Sequence, residues 1–469
     1  MSWLEVGKQF LKIVETFFVL YLVGYSTFLF FAVFTGSSAL YQRRRMERLQ
    51  NVLHQEYYVP LSILIPAHNE AVTIVSSVLS LLEQDYPLYE IVVIDDGSTD
   101  DTAQRLIEAF EMHRIERPVR RVIPCRPEES IYEARHRKAH ITLIRKGNSG
   151  KADSLNMGIN VCRYPYFICL DADSMLQRDS LREIVRPVLE DDRTIACGGQ
   201  VRPSNGVRME HGNVTRYRLP HNPVACMQVL EYDRSFLASR ILMDQFNGNL
   251  IISGAFGLFQ KEMVMLAGGY DASTMGEDME LVVKLHVFCR VNNIDYSMRY
   301  VPEAVCWSQV PGNLWDLARQ RRRWHIGLFE SLTKYRRAMA GKGYGFSGVM
   351  AMLYYWLYEL LSPYIEIFGL TTIALSYFLN LVNPTFMVLF FCAYALYGCT
   401  LTLIAFFSRI HTQHLRISFL DGVKAVLMSF LELMGLRFFL MLVRGNALLG
   451  YRKKRSEWGK LERSKQDWH

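Results

Sequence analysis

The sequence predicts an α/β domain with a doubly wound sheet, inserted between membrane-crossing helices. Three observations predict it. Residues 61–174 alternate short apolar strands with helices of amphipathic spacing. Apolar runs of membrane length flank that region on both sides. Acidic motifs fall where the predicted strands end. Half of the 469 residues are hydrophobic, yet the mean hydropathy is only +0.05, because a polar middle offsets apolar ends.

The first element is the run Phe10 to Phe34, which is almost uncharged after Glu15. It is long enough to cross a hydrocarbon core of about 30 Å. It is too long for a cleavable signal, and a basic cluster follows it instead of a small-residue cleavage site. Arg43, Arg44 and Arg45 place its C-terminal end in the cytoplasm and the N-terminus outside. Residues 1–40 are therefore read as a transmembrane helix.

The soluble domain is expected over 55–340. Leu61 to Pro66 is a short apolar strand. Ala71 to Leu82 is a helix with apolar positions at Ile74, Val78, Leu81 and Leu82. Ile91 to Ile94 is a buried strand, Thr102 to Phe110 a helix, Ile141 to Ile144 a strand, Ala152 to Val161 a helix and Phe167 to Leu170 a strand. This rhythm predicts a site at the C-terminal ends of the strands. Glu111 to Lys138 is basic and holds Pro118, Pro124 and Pro127. It is expected to be an inserted loop, solvated or against headgroups, with no chemistry of its own.

Membrane and interfacial helices are expected over 345–445. Val349 to Ser362 carries Glu359 and precedes Pro363, as an interfacial helix or the lower part of a kinked span completed by Pro363 to Leu381. Phe386 to Phe407 is a clean return span. Phe419 to Val443 carries Asp421, Lys424, Glu432 and Arg437 at roughly helical spacing. A full span there puts the basic tail, 446–469, outside, so an amphipathic or re-entrant segment is favoured. The other reading has these charges lining a translocation path.

The formal charge is +7. Basic clusters also occur in nucleic-acid binders. Here they sit at Arg43 to Arg45, His113 to Lys146, Arg319 to Arg323, Arg409 to Arg416 and Arg452 to Arg455. Three abut apolar runs, which fits anionic lipid headgroups and argues against a nucleic-acid partner. Nine cysteines without a C-x-x-C pair suggest neither a disulfide framework nor a zinc site.

The motifs carry the chemistry. Asp95-Asp96-Gly97-Ser98 ends a strand, where a carboxylate can accept from a uracil N–H or a ribose hydroxyl. Ser98 or Asp100 equally caps the next helix. Lys151 opens a helix, where the dipole disfavours a cation, so an anion such as a diphosphate explains it unless it is a surface lysine. Asp171 and Asp173 point to one face of a strand end. Like charges there repel unless a cation lies between them, which favours Mg²⁺ or Mn²⁺ on a diphosphate. Gly276-Glu277-Asp278 opens a helix, as carboxylates that favour the macrodipole also do. Ser253-Gly254-Ala255-Phe256-Gly257 lets a sugar pass close to the backbone, or is a tight core turn. In Gln320-Arg321-Arg322-Arg323-Trp324, Arg323 can clamp a diphosphate. Trp324 offers a face for a sugar ring, and Gln320 lies one turn earlier on the same side. Arg321 and Arg322 are expected to point away, towards headgroups. A basic juxtamembrane helix with a Trp anchor has the same composition.

Taken in this order between apolar flanks, these motifs resemble the membrane-embedded family 2 glycosyltransferases, which include the synthases of cellulose, hyaluronan, chitin and poly-N-acetylglucosamine. The SGAFG and GEDMELVVKLH segments in a short chain resemble bacterial poly-β-1,6-N-acetylglucosamine synthase-like proteins in particular. The resemblance implies a GT-A (Rossmann-like) fold for the cytosolic domain. It implies Asp278 as the general base and Asp173 as the metal ligand. Pro66, Asn69, Glu70, Asp96, Lys151, Asp171 and Arg323 would bind the nucleotide, and Ser253, Gly254, Glu277, Gln320 and Trp324 the acceptor. Many relatives have Thr where this chain has Gly276.

The implied activity is inverting, metal-dependent transfer from a UDP-sugar, UDP-N-acetylglucosamine first and UDP-glucose next, to a growing β-linked polysaccharide. Its expected place is the cytoplasmic membrane. Partners would be the donor, a polysaccharide or lipid acceptor, membrane lipids and a homo-oligomer or small membrane or export partner. The rival readings are a single-addition lipid glycosyltransferase, like ceramide glucosyltransferase, and a non-catalytic membrane scaffold.

Overall fold

The computed structural model describes residues 3–50, 58–136, 138–339, 345–413, 415–449 and 451. The basic cluster at 452–455 and nearly all of the expected tail lie outside these residues, as do the side chains of Arg44 and Arg45.

The strands are β1 (Leu61–Ala67), β2 (Tyr89–Asp96), β3 (His113–Ile115), β4 (Glu128–Arg135), β5 (His140–Lys146), β6 (Tyr166–Leu170), β7 (Met175–Leu176), β8 (Thr194–Pro203), β9 (Val207–Glu210), β10 (Asn213–Tyr217), β11 (Phe256–Gln260) and β12 (Ser297–Ser308). Ten of them form one sheet in the order β3-β4-β5-β2-β1-β6-β11-β8-β12-β7. The run β5-β2-β1-β6 is parallel, as the sequence predicts, and β11 inserts antiparallel between β6 and β8. Chain order reverses across β1, with β2 on one side and β6 on the other. The crevice beyond their C-terminal ends is where ligands bind in open α/β sheets. Pairing of β1 with β6 stops at Leu64, so Pro66 has no ladder partner on that side and its missing N–H is tolerated.

The sheet is buried on both faces. Leu61, Ile63, Ile65, Ile91 and Val93 pack beneath the helices Ile74–Leu82 and Thr102–Ala109. Leu64, Val92 and Ile94 pack under the helix Lys151–Val161 on the other face.

One expectation fails at the edge. Residues 111–138 are not a plain loop, because β3 and β4 extend the sheet beyond β5. The strands are charged, yet Glu133 gathers Arg117, Arg163 and His140 at 3.5, 3.0 and 3.2 Å. Charged edge strands resist further pairing.

Among the described residues three helices are long and apolar enough to cross a membrane: Glu5–Arg43, Pro384–Thr412 and Phe419–Gly445. Gly348–Leu360 and Ser362–Phe378 form a pair bent by 52° at the predicted kink. The segment favoured as interfacial is therefore one helix of spanning length. Its charges meet protein: Glu432 with Arg234 at 2.8 Å, and Arg437 with Glu366 at 3.0 Å. The clusters read as headgroup contacts are also partly internal. Arg43 pairs with Asp244 at 3.1 Å, and the buried Arg409 with Asp233 at 2.9 Å. A desolvated acidic partner outcompetes a distant lipid phosphate.

Candidate active site

The loops after β1 and β2 are tied together. Asn69 takes a left-handed φ of 58°, which Asn tolerates better than most residues. Its N–H donates to Ser98 Oγ at 2.9 Å, and its Oδ1 accepts from Thr99 N at 2.8 Å. Glu70 N donates to Thr102 Oγ1 at 2.8 Å. Ser98 is thus a loop tether; the N-cap of the next helix is Asp101, which makes no side-chain cap bond, and Asp100 one residue earlier accepts from Thr102 N at 3.0 Å.

Asp96 lies deeper than a simple ligand-binding role requires. It is 4% exposed and meets Lys146 Nζ at 2.5 Å, Ser149 N at 3.0 Å and Gly150 N at 2.8 Å. Burial acts to raise its pKa, but Lys146 and the two amides outweigh burial and hold the carboxyl below its ordinary value. Asp96 therefore shapes the turn that opens the helix Lys151–Val161. The sequence reading missed Lys146 within its basic cluster, although Asp96 and Lys146 end adjacent parallel strands in register.

The charged centre gathers five expected residues, Lys151, Asp171, Gly254, Glu277 and Asp278. Lys151 Nζ lies 2.5 Å from Asp171 Oδ1, 3.3 Å from the Gly254 carbonyl and 3.8 Å from Glu277 Oε1. Burial acts to lower its pKa, and Asp171, Glu277 and Asp278 together raise it above the ordinary value. Gly254 N donates to Asp278 Oδ2 at 3.1 Å, and Met279 N to Oδ1 at 2.8 Å. A Cβ on Gly254 would sit 3.2 Å from Lys151 Nζ and 3.3 Å from Asp278 Cβ, so this position suits glycine. Ser253 shapes the turn: Ala255 N donates to its Oγ at 3.3 Å and Phe256 N to its carbonyl at 3.1 Å. Burial pushes the Glu277 carboxyl up, Lys151 and Arg323 oppose it, and Asp278 adds to it. Arg323 thus acts on the same cluster from the helix Leu314–Met339.

Lys151 acts on Asp171, Glu277 and Asp278, and Arg323 acts on Glu277. Asp171 and Asp173 follow the end of β6, and hard carboxylates at a strand end fit a divalent ion shared with a diphosphate. Among the described residues no three His, Cys, Asp or Glu groups form a metal cage by themselves.

The Gly276-Glu277-Asp278 turn is held against the helix Leu314–Met339. Glu330 Oε2 accepts from Thr274 Oγ1 and Met275 N, both at 2.8 Å, and Glu330 Oε1 accepts from Tyr451 Oη at 2.5 Å. Trp324 is 42% exposed. Gln320 Oε1 is buried with no hydrogen-bond partner among the described residues. Arg321 does not face lipid. It is 5% exposed and pairs with Glu231 at 2.7 Å. Glu231, Glu330 and Lys146 carry no motif signal, since their meaning depends on partners distant in sequence.

The description "Glycosyl transferase family 2" matches residues 62–263, and "Glycosyl transferase family group 2" matches residues 166–440. The chain is 29% identical over 276 residues to poly-β-1,6-N-acetyl-D-glucosamine synthases of Staphylococcus epidermidis and of Staphylococcus aureus strain COL. The match covers 58% of this chain and 56% of each relative, so the chain spans about half the length of the curated relatives it matches. Among solved structures it is similar to the mannosyltransferase PcManGT from Pyrobaculum calidifontis in complex with GDP-Man and Mn²⁺. That likeness has a TM-score of 0.51 and 19% identity, and covers 84% of this chain and 99% of the other. It supports the GT-A fold. Because the family-group match alone extends over more than half of the chain, the chain belongs to the family 2 glycosyltransferases.

Proposed function

We propose that the protein transfers a sugar from a UDP-sugar, with inversion, to a β-linked acceptor at the cytoplasmic face of a membrane. The relatives are named for a poly-N-acetylglucosamine product, which supports UDP-N-acetylglucosamine as the first donor to test and a polysaccharide as the first product. The carrying observation is the convergence of Lys151, Asp171, Gly254, Glu277 and Asp278 at the sheet crevice.

Asp278 is fixed by two backbone N–H groups, and each carboxylate oxygen keeps a further lone pair. It takes the proton of an acceptor hydroxyl placed within about 3 Å. The hydroxyl oxygen forms a bond to the anomeric carbon as the carbon–oxygen bond to the diphosphate breaks. The electron pair leaves with UDP, and the configuration inverts. Arg323 and Lys151 offset the diphosphate charge. Asp173 would hold a divalent ion, with Asp171 beside it facing the nucleotide, and that ion would supply further positive charge to the leaving group. Trp324 stacks the acceptor ring and Gln320 orients it.

One observation favours single addition to a lipid instead. Among the described residues three helices qualify as membrane spans, or four counting the bent pair, which is few for a polymer channel. The test is UDP release by purified protein in detergent with UDP-N-acetylglucosamine or UDP-glucose, and sizing of the labelled product. A large product supports the synthase, and a short lipid-extractable product supports the lipid transferase. No release from either donor with Mg²⁺ or Mn²⁺ contradicts both.

A further inference from the structure

The three consecutive arginines before Trp324 have different surroundings. Arg323 acts on Glu277 in the charged centre. Arg321 and Trp324 are three residues apart on one helix and share a face. The Arg321 guanidinium carbon lies 4.4 Å from the Trp324 ring centroid and 5.8 Å from that of Tyr232. Arg321 Nη2 donates to Glu231 Oε2 at 2.7 Å.

Glu231 is positioned independently of Arg321. It lies on the helix Pro223–Ser235, capped by Asn222, whose Oδ1 accepts from Val224 N and Ala225 N. Asn222 Nδ2 donates to the Gly312 carbonyl at 2.8 Å, and Gln228 Nε2 to the Pro311 carbonyl at 2.8 Å. These bonds fix that helix to the segment entering the helix Leu314–Met339.

Resting on the acceptor role proposed above for Trp324, we infer that Arg321 is a positioning residue: braced by Glu231, it covers one indole face and leaves the other for the acceptor sugar. A half-exposed Trp without this brace samples several rotamers. A planar guanidinium locked to a carboxylate removes that freedom before the acceptor arrives, which lowers the cost of binding it. Lysine offers no planar face and stacks poorly.

The test uses the full chain in detergent, labelled with 5-fluorotryptophan. Its ¹⁹F spectrum is recorded for wild type, Arg321→Lys, Arg321→Met and Glu231→Gln, with the Trp324 line assigned by Trp324→Phe. The Trp324 line is expected to shift and broaden in all three variants. The KM for a β-N-acetylglucosaminyl oligosaccharide acceptor is expected to rise about tenfold, while the Kd for UDP stays within about twofold. Glu231→Gln keeps the guanidinium and the fold, so it remains informative if Arg321→Met does not accumulate. An unmoved Trp324 line in Arg321→Lys and Glu231→Gln overturns the inference. So does an equal loss of UDP and acceptor binding. A Trp324 line that moves in the variants, while the wild type itself transfers no sugar, upholds the brace and contradicts the proposed function instead.

Discussion

Gly276 and Gly327 meet back to back. A Cβ on Gly276 would lie 2.8 Å from the Gly327 Cα, and one on Gly327 would lie 2.6 Å from the Gly276 Cα. This contact lets the N-terminus of the helix Glu277–Val291 press against the helix Leu314–Met339. Asp278 follows one glycine by two residues, and Trp324 precedes the other by three. A Thr in place of Gly276 has no room here, because the Gly327 backbone occupies its place.

Gly276→Thr is therefore expected to destabilise the protein by about 1–3 kcal/mol, the usual cost of overpacking. UDP release should fall with it. Thermal unfolding in detergent and a turnover assay check this. Unchanged melting and turnover would show that the helices separate freely.

The Asp96–Lys146 pair should dominate the acid response of the nucleotide loops. Asp96 has a folded pKa below its ordinary value of about 3.9. Its stabilisation is thus present above that value and lost as pH falls through the lower folded value. Asp96→Asn leaves the buried Lys146 ammonium with Asp153, at 3.0 Å, as its remaining carboxylate, and is expected to cost about 1–3 kcal/mol at neutral pH. The melting gap between wild type and Asp96→Asn should narrow below about pH 4. A gap independent of pH would contradict the pairing.

Glu330 is expected to set the position of the base without touching substrate. Glu330→Gln keeps the shape but weakens the acceptor for Thr274 Oγ1 and Met275 N. The expected result is a lower kcat with the UDP Kd unchanged, and a smaller effect in Tyr451→Phe. Equal losses in kcat and UDP affinity would argue for general disruption.

Chelation of divalent ions should stop UDP release, and Mg²⁺ or Mn²⁺ should restore it. Asp173→Ala is expected to respond to neither. If this variant turned over with the wild-type metal dependence, the ligand would lie elsewhere.

The parallel strands were legible because apolar runs bounded by turn residues have few other readings. β4 was not, since Glu128–Arg135 alternates charges whose order comes from pairing with β5 and from the ions around Glu133. The motif residues Lys151, Asp171, Gly254, Glu277 and Asp278 were legible through resemblance, and the structure brings them together. Asp96 was legible as a strand-end carboxylate but not as the partner of Lys146. Arg321 was misread because its partner, Glu231, stands 90 positions away. Sequence spacing reports which face a charge occupies, not what covers it.

The most direct test of the proposed transfer compares wild type with Asp278→Asn for UDP binding and UDP release. The substitution keeps the side-chain shape and removes the basic carboxylate. The expected result is UDP affinity within about twofold and turnover reduced by about 10²–10⁴-fold. Near-normal UDP release from Asp278→Asn would contradict Asp278 as the base and with it the proposed mechanism.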